Sequence, residues 1–395
     1  MKYVLIIVVL FLSCKADKNQ LTRAKEVNDS IKKTFAPDKR VALYNIEIEE
    51  VKNNFLLKGE TNLPKALAAL RTELAKQNFT FIDSIELLPD TELGNFTFAI
   101  VNNSVANIRS EGKHSAELAT QALLGTPLKV LKTNGSFYLV QTPDDYLSWV
   151  DHGGIKLMDE KQFSEWNVAT KIIYTKPEGY VYANETESVK VSDIVMGGVL
   201  NYLTENDKTF KVIYPDGRTG YVLKNEAALF NNWFDELKPS GELIERLAKE
   251  FMGAPYLWGG TSTKGVDCSG FTKTVYLMNG FIIPRDASQQ IEAGIDVDPG
   301  LNFENLEKGD LMFFGSKATE DKKQRVTHVG IWLGNSDGQF IHSASQVRLS
   351  SVNPESPHYD KSNTARYLGS RRYLNQEDPN IRSFKEIFSQ EKVLQ

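Results

Sequence analysis

The spacing of hydrophobic positions changes along this chain of 395 residues, and the first clear pattern covers residues 36–95. Apolar and polar residues partly alternate over 41–48, which is typical of a half-buried strand. Leu67, Leu70 and Leu74 recur at helical spacing and predict a helix. The whole segment predicts strand, strand, helix and strand, in that order. We interpret it as a small α+β module, and nothing in it indicates chemistry.

Residues 96–230 contain short alternating runs interrupted by Gly, Asn, Asp and Pro, a pattern that predicts small β-barrels. The runs 107–110 and 146–150 resemble the opening and closing strands of a bacterial SH3-like domain. The run 216–222 resembles the closing part of a second such domain. The resemblance implies two SH3-like barrels, with a boundary near His152. They are assigned to residues 96–151 and 152–230.

Cys268 carries the clearest chemical signal, because only one other cysteine, Cys14, is present in the chain. Apolar residues after Cys268 recur at helical spacing, Asp267 is a suitable N-cap, and Gly280 is a suitable C-terminal cap. Cys268 is therefore expected in the first turn of a helix. The unpaired amides and the dipole at that end favour the thiolate, the attacking form of cysteine.

Two histidines lie on either side of a predicted hairpin downstream. The segment 326–333 is strand-like, 334–338 has turn composition, and a second strand follows from 339. His328 and His342 are 14 positions apart and have equal parity, so both rings can face the thiol. The pattern predicts a cysteine nucleophile, His328 as its base and His342 as the residue that orients the base.

Two other interpretations of these residues were weighed. A lone cysteine is often a buried structural residue, and a histidine in an apolar strand is often a satisfied core residue. A zinc site needs about four ligands at recognisable spacing, and the sequence shows no such set. No metal and no cofactor are predicted. The polar residues Tyr256, Asp267 and Ser269 around Cys268 favour the catalytic interpretation.

The segments around these residues resemble the NlpC/P60 family of papain-like cell-wall cysteine peptidases. The motifs 255–260, 267–271, 308–311, 328–331 and 340–343 follow the order of that family. The resemblance implies an α+β papain-like catalytic domain over 238–375 and a C-terminal tail over 376–395. It assigns Cys268 as nucleophile, His328 as base and His342 as the third polar residue. It also places the Tyr256 hydroxyl beside the nucleophile as an aid to the oxyanion.

The first barrel contains a run at 115–125 that has helical spacing, and we expect an inserted helix there. The run resembles a segment of the family members that release L-Ala-γ-D-Glu from cell-wall stem peptides, where the first barrel walls off the substrate site. That resemblance implies that Glu117 and Tyr146 read the free amine of L-Ala. The remaining substrate-binding residues that it implies are Tyr256, Trp258, Asp267, Ser269 and Ser288.

The N-terminus resembles a bacterial lipoprotein signal. The chain starts with a positively charged residue, and a short apolar run follows and ends at Cys14. This pattern predicts a lipoprotein signal at 1–14, with cleavage before Cys14 and acylation of its sulfur. Residues 15–35 are polar and are expected to be a tether. These features predict an exported, membrane-anchored protein, periplasmic or at the cell surface.

Composition is that of a multidomain globular protein, and a net charge of −5 offers no basic surface for nucleic acid. The expected function is hydrolysis of the γ-D-glutamyl bond to the diamino acid in stem peptides with a free N-terminal L-Ala. The stem peptides are the expected partners, besides the membrane. Three alternatives stay open at this point: an endopeptidase on intact peptidoglycan, an acyltransferase of the same fold, and a non-catalytic wall-binding protein.

Overall fold

The computed structural model describes residues 18–51, 54–186 and 188–388, which divide after Thr91 into two units. Cys14 and the signal segment lie outside the described residues. Within the described ranges, no helix is both long and apolar enough to cross a membrane. The α-helices are α1 (Lys18–Phe35), α2 (Pro64–Lys76), α3 (Glu160–Val168), α4 (Phe230–Glu236), α5 (Gly241–Lys249), α6 (Cys268–Leu277), α7 (Ala287–Gln290) and α8 (Lys361–Ala365).

The first unit contains α1, α2 and a sheet of three strands in the order β1 (Tyr44–Val51), β2 (Asn54–Thr61) and β3 (Phe81–Leu87). Strands β1 and β2 are antiparallel, whereas β2 and β3 are parallel because α2 connects them. The strand, strand, helix, strand order is the one that the hydrophobic pattern predicts. Alternate residues of β1, together with Leu67 and Leu70 of α2, form the core of this unit.

The expected tether at residues 15–35 is wrong for 18–35, which form α1. Ala24 and Ile31 are buried in the core of the first unit. Asn28 is buried as well, donates from Nδ2 to the carbonyl oxygen of Ile46 at 3.0 Å, and accepts from the Tyr44 hydroxyl at 2.9 Å. The buried stripe is narrow and includes a polar residue. The polar composition therefore hid a helix that one row of side chains anchors.

The first barrel is a sheet of seven strands. Ile108 of one strand lies opposite Val150 of another, so the predicted opening and closing runs are neighbours. The order across the sheet is β10-β4-β7-β8-β9-β5-β6. The strands are β4 (Phe98–Val101), β5 (Val105–Arg109), β6 (Leu118–Leu123), β7 (Pro127–Asn134), β8 (Phe137–Gln141), β9 (Leu147–Asp151) and β10 (Ile155–Met158).

Two expectations for this barrel need correction. Strand β10 pairs with β4, so the barrel continues past the boundary set near His152. The run 115–125 is not helical, because β6 occupies its second half and pairs with β5. Residues Thr120 to Leu123 are all buried, since β6 also packs on the catalytic domain. A strand buried on both faces has no alternation, and its apolar spacing can imitate that of a helix.

The second barrel follows α3 and is also built from seven strands, around Ile172, Val181, Leu200, Val212 and Val222. This confirms the second SH3-like barrel. The order across the sheet is β13-β12-β16-β15-β14-β11-β17. The strands are β11 (Lys171–Tyr174), β12 (Glu178–Tyr182), β13 (Lys190–Val195), β14 (Val199–Glu205), β15 (Thr209–Ile213), β16 (Thr219–Leu223) and β17 (Ala227–Leu229).

The catalytic domain packs α6 against a six-stranded sheet of order β21-β26-β22-β23-β24-β25. Helix, sheet and α5 together enclose a continuous apolar core, as the predicted α+β papain-like domain requires. The strands of this domain are β18 (Thr261–Ser262), β19 (Gly265–Val266), β20 (Phe281–Ile282), β21 (Ile295–Asp296), β22 (Leu311–Ser316), β23 (Arg325–Trp332), β24 (Gln339–Ala344), β25 (Gln346–Ser351), β26 (Tyr367–Arg372) and β27 (Arg382–Ser383).

The predicted C-terminal tail at 376–395 is partly an element of this domain. Strand β27 pairs with β20, and Phe384 is buried against Phe230 of α4. The two-residue strand and a single buried aromatic side chain leave no periodic pattern. The sequence alone therefore gave no sign that this segment docks.

Candidate active site

Cys268 is the first residue of α6, as predicted. Asp267 is the N-cap, and its Oδ1 accepts a hydrogen bond from the Gly270 amide at 2.7 Å. The helix ends at Leu277, and Gly280 follows with a φ of +88°, in the left-handed region that a helix end often uses. The cysteine therefore lies where the helix leaves its first amides unpaired.

The two histidines meet in the hairpin of β23 and β24. His328 Nε2 and His342 Nδ1 are 2.7 Å apart, and both side chains are buried. His342 Nε2 lies 3.0 Å from the Ser350 hydroxyl of β25. Since α6 packs on β23, the predicted nucleophile lies on an element next to the strand that carries the predicted base, and the base contacts the predicted orienting residue.

The ionisation of this group differs from the expected thiolate. Burial, followed by the negative charge of Asp267, raises the pKa of the Cys268 thiol to about 12, although hydrogen bonds from the Val329 and Ser269 amides act in the opposite direction. Burial lowers the pKa of His328 to about 4 and that of His342 to about 3. Burial thus favours a neutral thiol and a neutral imidazole at rest, because desolvation disfavours the charged form of each group.

Asp267 is held by an ion pair that the sequence did not reveal. Arg285 donates to Asp267 Oδ2 from Nη2 at 2.6 Å and to Oδ1 from Nη1 at 3.1 Å. Arg285 Nη1 also donates to the Ser269 hydroxyl at 3.0 Å. The Gly259 amide donates to Asp267 Oδ2 at 2.9 Å. The contacts of Asp267 and Ser269 are thus internal, and their substrate role stays a prediction.

The first barrel contacts the catalytic domain at the loop that precedes the nucleophile. Trp258 is exposed over 62 % of its surface, and its Nε1 donates to Glu117 Oε1 at 2.6 Å. On the other side of Asp267, the Tyr146 hydroxyl donates to Asp286 Oδ2 at 3.2 Å. Ser288 lies two residues further along, in α7.

Hydrogen bonds and an ion pair hold the first barrel against the catalytic domain. Gln121 of β6 accepts from the Thr261 amide at 3.0 Å and, through its carbonyl oxygen, from the Thr261 hydroxyl at 2.9 Å. Arg285 Nε donates to Thr120 Oγ1 at 3.0 Å. Lys273 of α6 forms a buried ion pair with Asp144 at 2.5 Å. The part of the first barrel beside the active site is therefore held by hydrogen bonds and an ion pair across the interface.

Tyr256 is half-buried in the same loop, and its amide donates to the carbonyl oxygen of Ser345 at 2.9 Å. Burial is the main cause that raises the pKa of the Tyr256 hydroxyl, and the negative charge of Asp267 acts in the same direction. The phenol therefore stays protonated and able to donate. Within the part of the chain that the structure describes, no group of three or more His, Cys, Asp or Glu side chains could hold a metal ion.

Comparison with known proteins agrees with this geometry. A family model described as "NlpC/P60 family" matches residues 253–383, and one described as "Bacterial dipeptidyl-peptidase Sh3 domain" matches residues 108–155. A Bacillus cereus protein named gamma-D-glutamyl-L-lysine dipeptidyl-peptidase is 33 % identical over 267 residues, which cover 65 % of this chain and 76 % of that protein. The chain belongs to the NlpC/P60 family.

Two further proteins are similar to this chain. A Bacillus subtilis protein, also named gamma-D-glutamyl-L-lysine dipeptidyl-peptidase, is 31 % identical over 57 % of this chain and 72 % of its own length. The crystal structure of an NlpC/P60 family protein from Bacillus cereus is 27 % identical, with a TM-score of 0.60 over 70 % of this chain and 99 % of that one. This protein is accordingly a multidomain NlpC/P60 peptidase with SH3-like domains, and its chemistry is hydrolysis.

The NlpC/P60 site also contains residues that the sequence did not single out as functional. They are Arg285 and Asp286, Thr120, which accepts a hydrogen bond from Arg285, and Ser350, whose hydroxyl lies 3.0 Å from His342 Nε2. One signal was present, since Arg285 directly follows the apolar run 281–284. A charge at such a place calls for a buried partner, but the sequence does not say which carboxylate supplies it.

Proposed function

We propose that this peptidase hydrolyses the γ-D-glutamyl bond to the diamino acid in peptidoglycan stem peptides that have a free N-terminal L-Ala, and releases L-Ala-γ-D-Glu. The observation that carries the proposal is the wall of the first barrel. It presents the Glu117 carboxylate at the Trp258 loop and a tyrosine hydroxyl at Asp286. The names of the two Bacillus relatives support the same bond.

The wall suits a substrate that begins with an ammonium group. Glu117 reaches the loop whose Gly259 amide holds Asp267, and Asp286 follows the arginine that holds the same carboxylate. Both contacts are therefore linked to Asp267, the residue that precedes Cys268. Two carboxylates next to this segment favour a positive charge and disfavour an acylated amine. Because Asp267 is already paired with Arg285, we assign the substrate amine to Glu117 and Asp286.

The neutral thiol and imidazole define the reaction steps. His328 Nδ1 takes the thiol proton as Cys268 Sγ attacks the γ-carbonyl carbon, and the oxyanion receives hydrogen bonds from the first amides of α6 and from Tyr256. His328 then gives the proton to the leaving amine of the diamino acid, which leaves a thioester. Water, deprotonated by His328, attacks the thioester and releases the dipeptide. His328 then passes the proton that it took from water to the departing Cys268 thiolate, and the other proton leaves with the new carboxyl group of the dipeptide.

A matched pair of peptides tests this function. Purified enzyme is incubated with L-Ala-γ-D-Glu-L-Lys and with its N-acetylated form, and the diaminopimelate analogues are run beside them. Mass spectrometry should detect L-Ala-γ-D-Glu only from the free peptides, with Cys268→Ala as the inactive control. Equal rates on free and muramyl-linked peptides would instead indicate an endopeptidase on intact peptidoglycan.

A further inference from the structure

The hydrogen bonds of the histidine pair depend on which ring nitrogens carry protons. His328 Nε2 faces His342 Nδ1, so Nδ1 is the nitrogen that His328 has left for the thiol. A general base needs a lone pair at that atom. His328 must therefore be protonated at Nε2 and donate to His342 Nδ1, and His342 must carry its own proton at Nε2. The opposite pair of tautomers places a proton on His328 Nδ1 and abolishes the base.

Two side chains of β25 compete for His342 Nε2. The register of β24 and β25 places Arg348 directly opposite His342, and Ser350 lies one diagonal step away on the same face. Arg348 Nε lies 3.5 Å from Nε2, and the Ser350 hydroxyl lies 3.0 Å from it. Guanidinium has only donors, whereas a hydroxyl can accept. Arg348 thus favours the inactive tautomers, and only Ser350 of the two can accept the Nε2 proton.

We propose that Ser350 is a positioning residue that holds the His328–His342 pair in its catalytic tautomers by accepting the His342 Nε2 proton against the competing donor Arg348. The distances favour Ser350, since 3.0 Å is an ordinary hydrogen bond and 3.5 Å is at the limit of one. The role rests on the proposed use of His328 as base and does not depend on which bond is cleaved.

The surroundings of the pair strengthen this competition. Ser350 is 4 % exposed, so water cannot readily replace its oxygen. The charged groups that act on His342 besides His328 are Arg348 and Arg366, which disfavour its protonated form, and Asp360, which favours it. Asp360 lies 4.0 Å from the Arg348 guanidinium and so offers Arg348 an alternative partner. Without Ser350, the arginine would be the remaining partner of Nε2 among these side chains.

The test measures the tautomers directly, by ¹⁵N NMR of histidine-labelled full-length protein at pH 7. In the wild type, His328 and His342 should both be protonated at Nε2. In Ser350→Ala the pair should shift toward Nδ1 protonation, and kcat/KM should fall about tenfold. Ser350→Thr, which keeps the hydroxyl, should retain the wild-type tautomers. Ser351→Ala is the matched control, because the Ser351 hydroxyl donates to the carbonyl oxygen of Asp337 and not to a histidine.

A double variant separates this role from simple support of the fold. Adding Arg348→Met to Ser350→Ala removes the competing donor and should recover activity to within about threefold of the wild type. The rate of Cys268 alkylation by iodoacetamide should fall in Ser350→Ala and recover in the double variant, as activity does. Because alkylation needs no substrate, it distinguishes failure of the Ser350 role from failure of the proposed function. The proposal is overturned if wild-type His342 is protonated at Nδ1, if Ser350→Ala loses activity with unchanged tautomers, or if Arg348→Met gives no recovery.

Discussion

Replacement of Arg285 by methionine tests whether the ion pair with Asp267 supports the nucleophile or is held ready for substrate. The Arg285 side chain is 1 % exposed and that of Asp267 is 11 % exposed, so neither charge can be solvated in place. Removal of one partner from such a pair costs about 3–5 kcal/mol. For a domain of this size, that loss corresponds to a fall in Tm of roughly 10 °C.

A double-mutant cycle gives the sharper result. Asp267→Asn should cost a similar amount, because Arg285 is then unpaired, although the asparagine can still cap α6 at Gly270. The double variant has no buried charge left at this site. Its loss of stability should therefore be at least about 2 kcal/mol smaller than the sum of the two single losses. Lys273→Met serves as the matched control, since it breaks another buried ion pair at the same junction without touching Asp267.

The assay combines thermal unfolding with kcat and KM on the free tripeptide. If the pair is structural, Arg285→Met and Asp267→Asn should both lower Tm and kcat, whereas Lys273→Met should lower Tm alone. Additive losses in the cycle would refute the coupling. An Asp267→Asn protein with unchanged Tm and a strongly raised KM would show that Asp267 reads the substrate, as the resemblance implied.

Four further predictions concern the nucleophile, its base, the Glu117 contact and the N-terminal cysteine. Cys268→Ala should abolish turnover without loss of folding, and His328→Ala should reduce it nearly as far; residual cleavage by Cys268→Ala would disprove the nucleophile. Because burial lowers the pKa of His328 to about 4 and His328 is a base only when neutral, kcat/KM should fall on acidification through about pH 4. A fall centred on the ordinary histidine pKa instead would contradict this lowered pKa. Glu117→Gln should reduce the preference for free over acetylated L-Ala by roughly tenfold or more, and Trp258→Phe should have a smaller effect. An unchanged preference would show that Glu117 does not read the substrate amine. Wild-type protein should be acylated at Cys14 and Cys14→Ala should not, as mass spectrometry of the membrane fraction would show.

The elements whose side chains form a regular pattern could be predicted from the sequence. Helix α2 follows from three leucines at helical spacing, and the β23–β24 hairpin follows from two apolar runs around a turn. Cys268 and both histidines could be selected as candidates because rare residue types stood in separate short motifs, and their catalytic roles stay a prediction. Helix α1 was missed because Ala24, Asn28 and Ile31 do not look like a hydrophobic face, and β6 was misread because both of its faces are covered.

The pKa shifts and hydrogen-bond partners of the site could not be predicted from the sequence in the same way. A helix N-terminus predicts a thiolate, yet burial raises the pKa of Cys268 to about 12, and the degree of burial depends on strands more than 50 residues away. The partners of Asp267, Glu117 and His342 are likewise set by how separate domains and strands meet.

This division has a physical origin. Residue type determines which chemistry a side chain can perform, so a cysteine and two histidines reveal a thiol peptidase before any fold is known. Solvent exposure and hydrogen-bond partners determine whether that chemistry occurs at rest, and both are properties of the assembled interface. In this protein burial favours a neutral thiol and a neutral imidazole, and under the proposed function the substrate amine lies beside Glu117 when the proton moves. Under the proposed function, specificity and reactivity therefore both depend on the junction between the first barrel and the catalytic domain.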